Sequence, residues 1–231
     1  MSELAWDPEA LPLVGVLVGC TALFVVLRYR ITPASFATWL PMISARLEVS
    51  TQAAGVLLKR WIGGTWLLVG ALLVEAASGA EVGRGLTVPP ALPTAAWVGW
   101  PMLLLVPLLW VQSSGAAVRA TQPEIRGATW TGRLRALSMS AWVVYLIGYE
   151  YLFRGALLFT LEDGLGVWPA LAVSSAMYSL AHLHKPMLGE TLGSLLMGFL
   201  FGAMALATGS FVPAMALHVA IVWTTELGAS R

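Results

Sequence analysis

The sequence predicts an all-α, polytopic membrane helix bundle, with about seven transmembrane helices plus one amphipathic or re-entrant segment. Three observations predict it. Of 231 residues, 58% are hydrophobic and only 11% are charged, against about a quarter charged in a soluble globular domain. Mean hydropathy is +0.79. The apolar residues fall into runs close to the ~20 residues that carry a helix across a bilayer. Helices and closed barrels are the two architectures that satisfy the backbone in lipid, and these runs are too long and continuous for barrel strands. A net charge of +1 gives no basic field for nucleic acid, so the lipid bilayer is the expected environment.

The first run is Leu11–Leu27. Met1 to Ala10 carries Glu3, Asp7 and Glu9 and no Lys or Arg, the opposite of a signal-peptide start, so this run is expected to stay as an anchor. Its Cys20 is the single cysteine and reads as a small buried residue. Thr32–Leu58 is mixed and amphipathic and reads as an interfacial helix or a short re-entrant pair. Trp61–Ala77 and Ala96–Gln112 are the second and third spans, joined by a Gly- and Pro-rich loop, Gly79–Pro93. The polar, basic stretch Ser113–Arg135 follows. It divides an N-terminal anchoring unit (residues 1–136) from a C-terminal unit (137–231) of four spans: Leu137–Leu161, Val167–His184, Thr191–Ala207 and Val212–Leu227.

Positive charges set the expected orientation. Arg28, Arg30, Arg46, Lys59, Arg60, Arg119, Arg126, Arg133, Arg135, Lys185 and Arg231 fall on one side of the alternating loops, and Arg84 alone falls on the other. That split places the N-terminus outside and the C-terminus in the cytoplasm, in an integral membrane protein expected in a bacterial inner membrane. Trp61, Trp97, Trp100, Trp110 and Trp168 lie near span ends, as an aromatic belt requires.

Ionisable groups inside spans cost several kcal/mol unless paired or wetted, so they are candidates for function. Glu150 and Arg154 sit four apart in the fourth span, on one helix face. Tyr178 and His182 are four apart at the end of the fifth, where His184 reads as interfacial. His218 lies inside the seventh. A buried ion pair that only fixes packing would explain one such group; three spans each bringing one inward point to a functional centre.

A carboxylate beside an imidazole can hold and deprotonate water, and a second histidine can donate to a developing oxyanion. The same Glu150, His182 and His218 could alternatively bind a divalent metal that activates water. There is no HExxH pair to favour metal, no GxSxG serine, and no Asp inside a span for a paired-aspartate protease. No cofactor is expected.

These residues resemble a known family. Tyr149-Glu150-Tyr151-Leu152-Phe153-Arg154-Gly155 resembles the EExxxR-G motif of the CPBP family, the CAAX-processing and bacteriocin-processing intramembrane endopeptidases. Tyr178-Ser179-Leu180-Ala181-His182 is similar to its FxxxH motif. Ala207-Thr208-Gly209-Ser210, leading to His218, resembles its third block, where a TGS-like turn precedes HxxxN. The resemblance covers roughly Leu137–Leu227. It implies an intramembrane peptidase in which Glu150 and His182 activate water, Arg154 orients the carboxylate and His218 donates to the oxyanion. The implied partner is a membrane-anchored protein or peptide substrate: a sorting tail, a leader or another anchored segment.

Two positions depart from the pattern. Tyr149 stands where the family has its first Glu, a form that resembles aromatic-Glu branches in which a stretch like His182, Lys185, Pro186 and Glu190 follows. Val222 stands where the family has Asn, with Thr225 one turn on as a substitute donor. A catalytically inactive scaffold or chaperone is therefore the second reading. A transporter is the third, without the repeated halves or broken helices expected of one.

Overall fold

The computed structural model describes residues 10–183 and 188–231, and among these every regular element is helical. Helix α1 (Leu11–Arg30) ends on Arg28 and Arg30, cations that complement the negative end of a helix dipole. A 3-10 turn (Pro33–Phe36) and a short helix, α2 (Leu40–Leu47), follow, with no buried residue in either. Helix α3 spans Thr51–Ser78. The Ser50 hydroxyl accepts from the Ala53 amide at its start, and Gly79, at φ 77°, ends it.

Helix α4 (Ala91–Gln112) contains Pro101 and Pro107. A single short helix, α5 (Ala116–Thr121), lies in the loop after it. Helix α6 (Gly132–Glu150), capped by Thr131, runs without a break through a π-helical segment (Tyr151–Leu157) into α7 (Leu158–Leu165). Helices α8 (Val167–Leu180), α9 (Leu188–Thr208) and α10 (Val212–Ala229) complete the chain.

Among the described residues, six helical stretches are long and apolar enough to cross a membrane: Leu11–Arg30, Thr51–Ser78, Pro93–Gln112, Gly132–Leu165, Thr191–Thr208 and Val212–Ala229. The protein is thus an all-helical, polytopic integral membrane protein. The expected fifth span is shorter than its apolar run. Helix α8 has 14 residues, about 21 Å at 1.5 Å per residue, because a turn at Ala181–Leu183 ends it.

The amphipathic stretch Thr32–Leu58 also differs from expectation. Its last third is the start of α3: Ala53 and Leu57 are fully buried, in a cluster that includes Ile125 and Leu134. Lys59 and Arg60 therefore lie within a helix rather than in a loop.

Helix α3 lies along α6, α1 lies on α3, and α4 lies against α10. The spans before residue 137 thus flank those after it on two sides. The backbones of α3 and α6 touch. A Cβ added at Gly148 would strike the carbonyl oxygen of Gly64, and one at Gly64 the carbonyl of Val144. Close approach through small residues is how helices associate where lipid supplies no hydrophobic drive. Trp100, Leu103 and Leu104 of α4 face outward, each more than 65% exposed, as lipid-facing side chains do.

Candidate active site

Helix α6 ends at Glu150, and the chain widens into the π turn that carries Arg154. Two contacts fit this local geometry. The Tyr151 ring occupies the space a side chain on Gly155 would need, its Cε2 falling 2.6 Å from an added Cβ. A Cβ added at Gly85 would come 2.7 Å from the Gly155 Cα, so the loop between α3 and α4 rests on the same glycine. The Tyr151 hydroxyl donates to Glu75 of α3, a carboxylate 1% exposed that also accepts from the Gly83 amide at 3.2 Å. Single π turns in helices frequently mark functional sites.

Glu150 and Arg154 are both fully buried. Arg154 Nη1 lies 2.9 Å from Glu150 Oε2, an ionic contact without hydrogen-bond alignment. His218 Nδ1 lies 2.6 Å from Glu150 Oε1. A carboxylate accepts, so Nδ1 donates, and a neutral imidazole then presents Nε2 as an acceptor. The Arg154 guanidinium carbon stacks 3.9 Å from the centre of the Tyr178 ring and 5.2 Å from that of Phe201. These cation–π contacts take the place of hydrogen bonds, which none of its three buried nitrogens makes.

His218 is held by the turn before its helix. Gly209, at φ 65°, closes α9. The Ser210 hydroxyl donates to Thr87 O at 2.8 Å, the Thr87 hydroxyl to Gly209 O at 2.5 Å, and the Phe211 amide to Gly85 O at 3.2 Å. The Thr208-Gly209-Ser210 turn and the loop at Gly85–Thr87 are thereby sewn together, and the loop in turn rests on Gly155.

Tyr149 is 5% exposed and stands at the centre of the aromatic side chains. Its ring centroid lies 5.0 Å from Phe153, 5.7 Å from Tyr178, 6.4 Å from His182 and 6.2 Å from His218. His182 occupies the turn after α8, its Nδ1 2.9 Å from Tyr178 O and its ring 4.7 Å from the Tyr178 ring. Glu150, Arg154 and His218 are therefore in direct contact, and His182 reaches them across the rings of Tyr149 and Tyr178. The imidazole on Glu150 is that of His218, not of His182.

Thr225 is not brought in: its hydroxyl donates to Ile221 O of its own helix at 2.9 Å. Val222 packs with the apolar core. The side chain of Glu190, with His184, Lys185 and Pro186, lies outside the described residues. Among the described residues no group of three or more His, Cys, Asp or Glu side chains is arranged to hold a metal ion.

Three further buried charges were not singled out in the sequence: Glu75, Arg60 and Glu226, none more than 2% exposed. Arg60 Nη2 pairs with Glu226 Oε1 at 2.9 Å and with Glu124 Oε2 at 3.1 Å. Lys59 joins Glu124 at 3.0 Å. Burial alone would raise the Glu124 carboxyl, but Arg60 and Lys59 outweigh it and hold the group below the ordinary carboxylate range. The signal for Glu75 and Glu226 was present, since each is an acid inside an apolar run.

Residues 131–224 match a protein-family model, described as type II CAAX prenyl endopeptidase Rce1-like. That segment contains Tyr149, Glu150, Arg154, Tyr178, His182 and His218. No curated protein and no solved structure matches the chain.

Proposed function

With the match of residues 131–224 to the Rce1-like endopeptidases as premise, we propose that the protein is an intramembrane endopeptidase of the CPBP family. It would hydrolyse a peptide bond in a membrane-anchored protein or peptide by a glutamate- and histidine-activated water. The observation that carries this reading is the bond between Glu150 and His218, with the carboxylate fully buried and the imidazole 12% exposed. A carboxylate on Nδ1 fixes the tautomer and supports charge on the ring, leaving Nε2 to take a proton from water. The geometry favours His218 as the imidazole paired with Glu150. His182, on the far side of the Tyr149 and Tyr178 rings, is then the candidate donor to the oxyanion. Arg154 pairs with Glu150 and orients it, and no metal is needed in this scheme.

One observation favours a second reading. Tyr149 puts a ring where the family places a carboxylate, and an inactive scaffold that binds anchored segments would share the rest of the architecture. The two readings separate in one experiment. Glu150→Gln keeps shape and most hydrogen bonding but removes basicity. General-base loss lowers rate by about 10²–10⁴, so precursors should accumulate in a comparison of membrane-protein termini at matched protein level. Normal processing by the Gln variant would remove Glu150 as a base. A deletion phenotype rescued by both Glu150→Gln and His182→Ala would establish the scaffold.

A further inference from the structure

Helix α10 carries His218 and Glu226, and α6 carries a partner for each, Glu150 and Trp142. Trp142 Nε1 donates to Glu226 Oε2 at 3.1 Å, and His218 Nδ1 meets Glu150 at 2.6 Å. The spacing is the same on both helices, which run antiparallel. The two bonds are therefore rungs of one ladder, about 12 Å apart along the helix axes.

The rung at Glu226 is much the more heavily built. Arg60 Nη2 donates to Glu226 Oε1 at 2.9 Å and Arg60 Nη1 to Ser138 Oγ at 2.8 Å; the Ser138 hydroxyl donates to Glu226 Oε2 at 2.5 Å. The Arg60 guanidinium also stacks 3.9 Å from the Trp142 ring centre. One carboxylate thus binds α10 to α3 through Arg60 and to α6 through Ser138 and Trp142. A pair this deeply buried is a poor way to gain stability, since apolar residues of similar volume serve as well or better. Its directional bonds do what apolar contacts cannot: they select one register between helices, as a buried polar residue does in a coiled coil.

We propose that Arg60 and Glu226 are positioning residues, a register pin that holds α10 on α6 so that His218 Nδ1 meets Glu150. The proposal rests on the catalytic reading of the Glu150–His218 pair, but its geometric part can be tested apart from activity.

The test replaces the pair with apolar residues, Arg60→Met/Glu226→Leu, which removes the bonds without stranding a charge. Spin labels on cysteines at Ser140 and Thr224, in a Cys20→Ser background, report the spacing of α6 and α10. The expected result is a protein that accumulates as wild type does but whose distance distribution broadens. On an anchored-peptide substrate, kcat should fall about 10²-fold, the scale of a 1 Å misplacement, with KM unchanged. Glu226→Gln, whose one carbonyl oxygen keeps an acceptor for either Arg60 or Trp142 but not for both, should lower kcat by less than the double variant does.

A double variant with a narrow, wild-type distance and wild-type kcat overturns the pin. Should the double variant fail to accumulate, Trp142→Phe takes its place. It deletes one bond at little change in volume, and an unchanged kcat with an unchanged distance overturns the proposal there too. If Glu150→Gln proves fully active, the reading of Glu150 as the base fails while the distance measurement still decides whether the pin exists.

Discussion

Glu150 faces the Arg154 guanidinium, the Nδ1 donor of His218 and no solvent, and this fixes what each substitution there does. Removing Arg154 strands a buried carboxylate, which costs about 3–5 kcal/mol. Arg154→Met should therefore unfold earlier than wild type in detergent. Glu150→Gln/Arg154→Met should recover much of the loss, since no charge is then left unpaired; a double-mutant cycle on thermal unfolding measures the coupling. Equal destabilisation in the single and double variants would mean that Arg154 stabilises through Tyr178 and Phe201 instead. The sequence made this pair legible because four-residue spacing puts both groups on one face. It also pointed to His218, an imidazole in an apolar run. It did not reveal which histidine meets Glu150, because that depends on how α8 and α10 approach α6. Arg60 was hidden for another reason: beside Lys59 it reads as a loop charge, and only the extension of α3 back to Thr51 makes it an interior residue.

At the scale of the helix, the π turn at Tyr151–Leu157 depends on Gly155 having no side chain. Gly155→Ala forces the Tyr151 ring off its place and with it the hydroxyl that Glu75 accepts. Overpacking of this kind costs about 1–3 kcal/mol. The variant should melt lower than wild type, and Gly155→Ala/Tyr151→Leu should recover stability by removing the ring; a Gly155→Ala protein that melts as wild type would show that the ring shifts freely. No periodicity in the sequence announces a π turn, since one widened turn barely changes the pattern of apolar positions. The length of α8 was equally hidden. The apolar run continues through Ala181–Leu183, and hydropathy alone does not register that the backbone has turned.

Across the whole molecule, the charge asymmetry and the polar network agree on one end of the bundle. Glu124 ties the loop before α6 to Lys59 and Arg60, so that loop should be cytoplasmic. A reporter fused within residues 113–131 should behave as cytoplasmic and one fused at Glu81 as external; the reverse would invert the topology. The same clasp gives a pH dependence. Glu124 ionises more readily in the folded protein than in the unfolded chain, so its pairing contributes above the ordinary carboxylate value of 4.5 and is lost as acid passes through the lowered folded value. Near neutral pH nothing should change. Below 4.5, hydrogen exchange across residues 122–128 should quicken in wild type but not in Glu124→Gln, where it is already fast. Glu124 is 38% exposed, so water screens the pair and the effect stays local to the loop.

The brevity of α8 also bears on the lipid. A helix of about 21 Å cannot match a hydrocarbon layer of about 30 Å. Lipids beside it must shorten or tilt, and mismatch of this kind costs fractions of a kcal/mol per ångström. His182 sits at the foot of that short helix, so headgroups and water drawn in by the dimple arrive next to a histidine of the candidate site other than the one bonded to Glu150. Bilayer thickness then becomes a control on how wet the site is. In vesicles of graded acyl length, turnover should rise as the chains shorten toward the height of α8 and fall in thick, sterol-rich membranes.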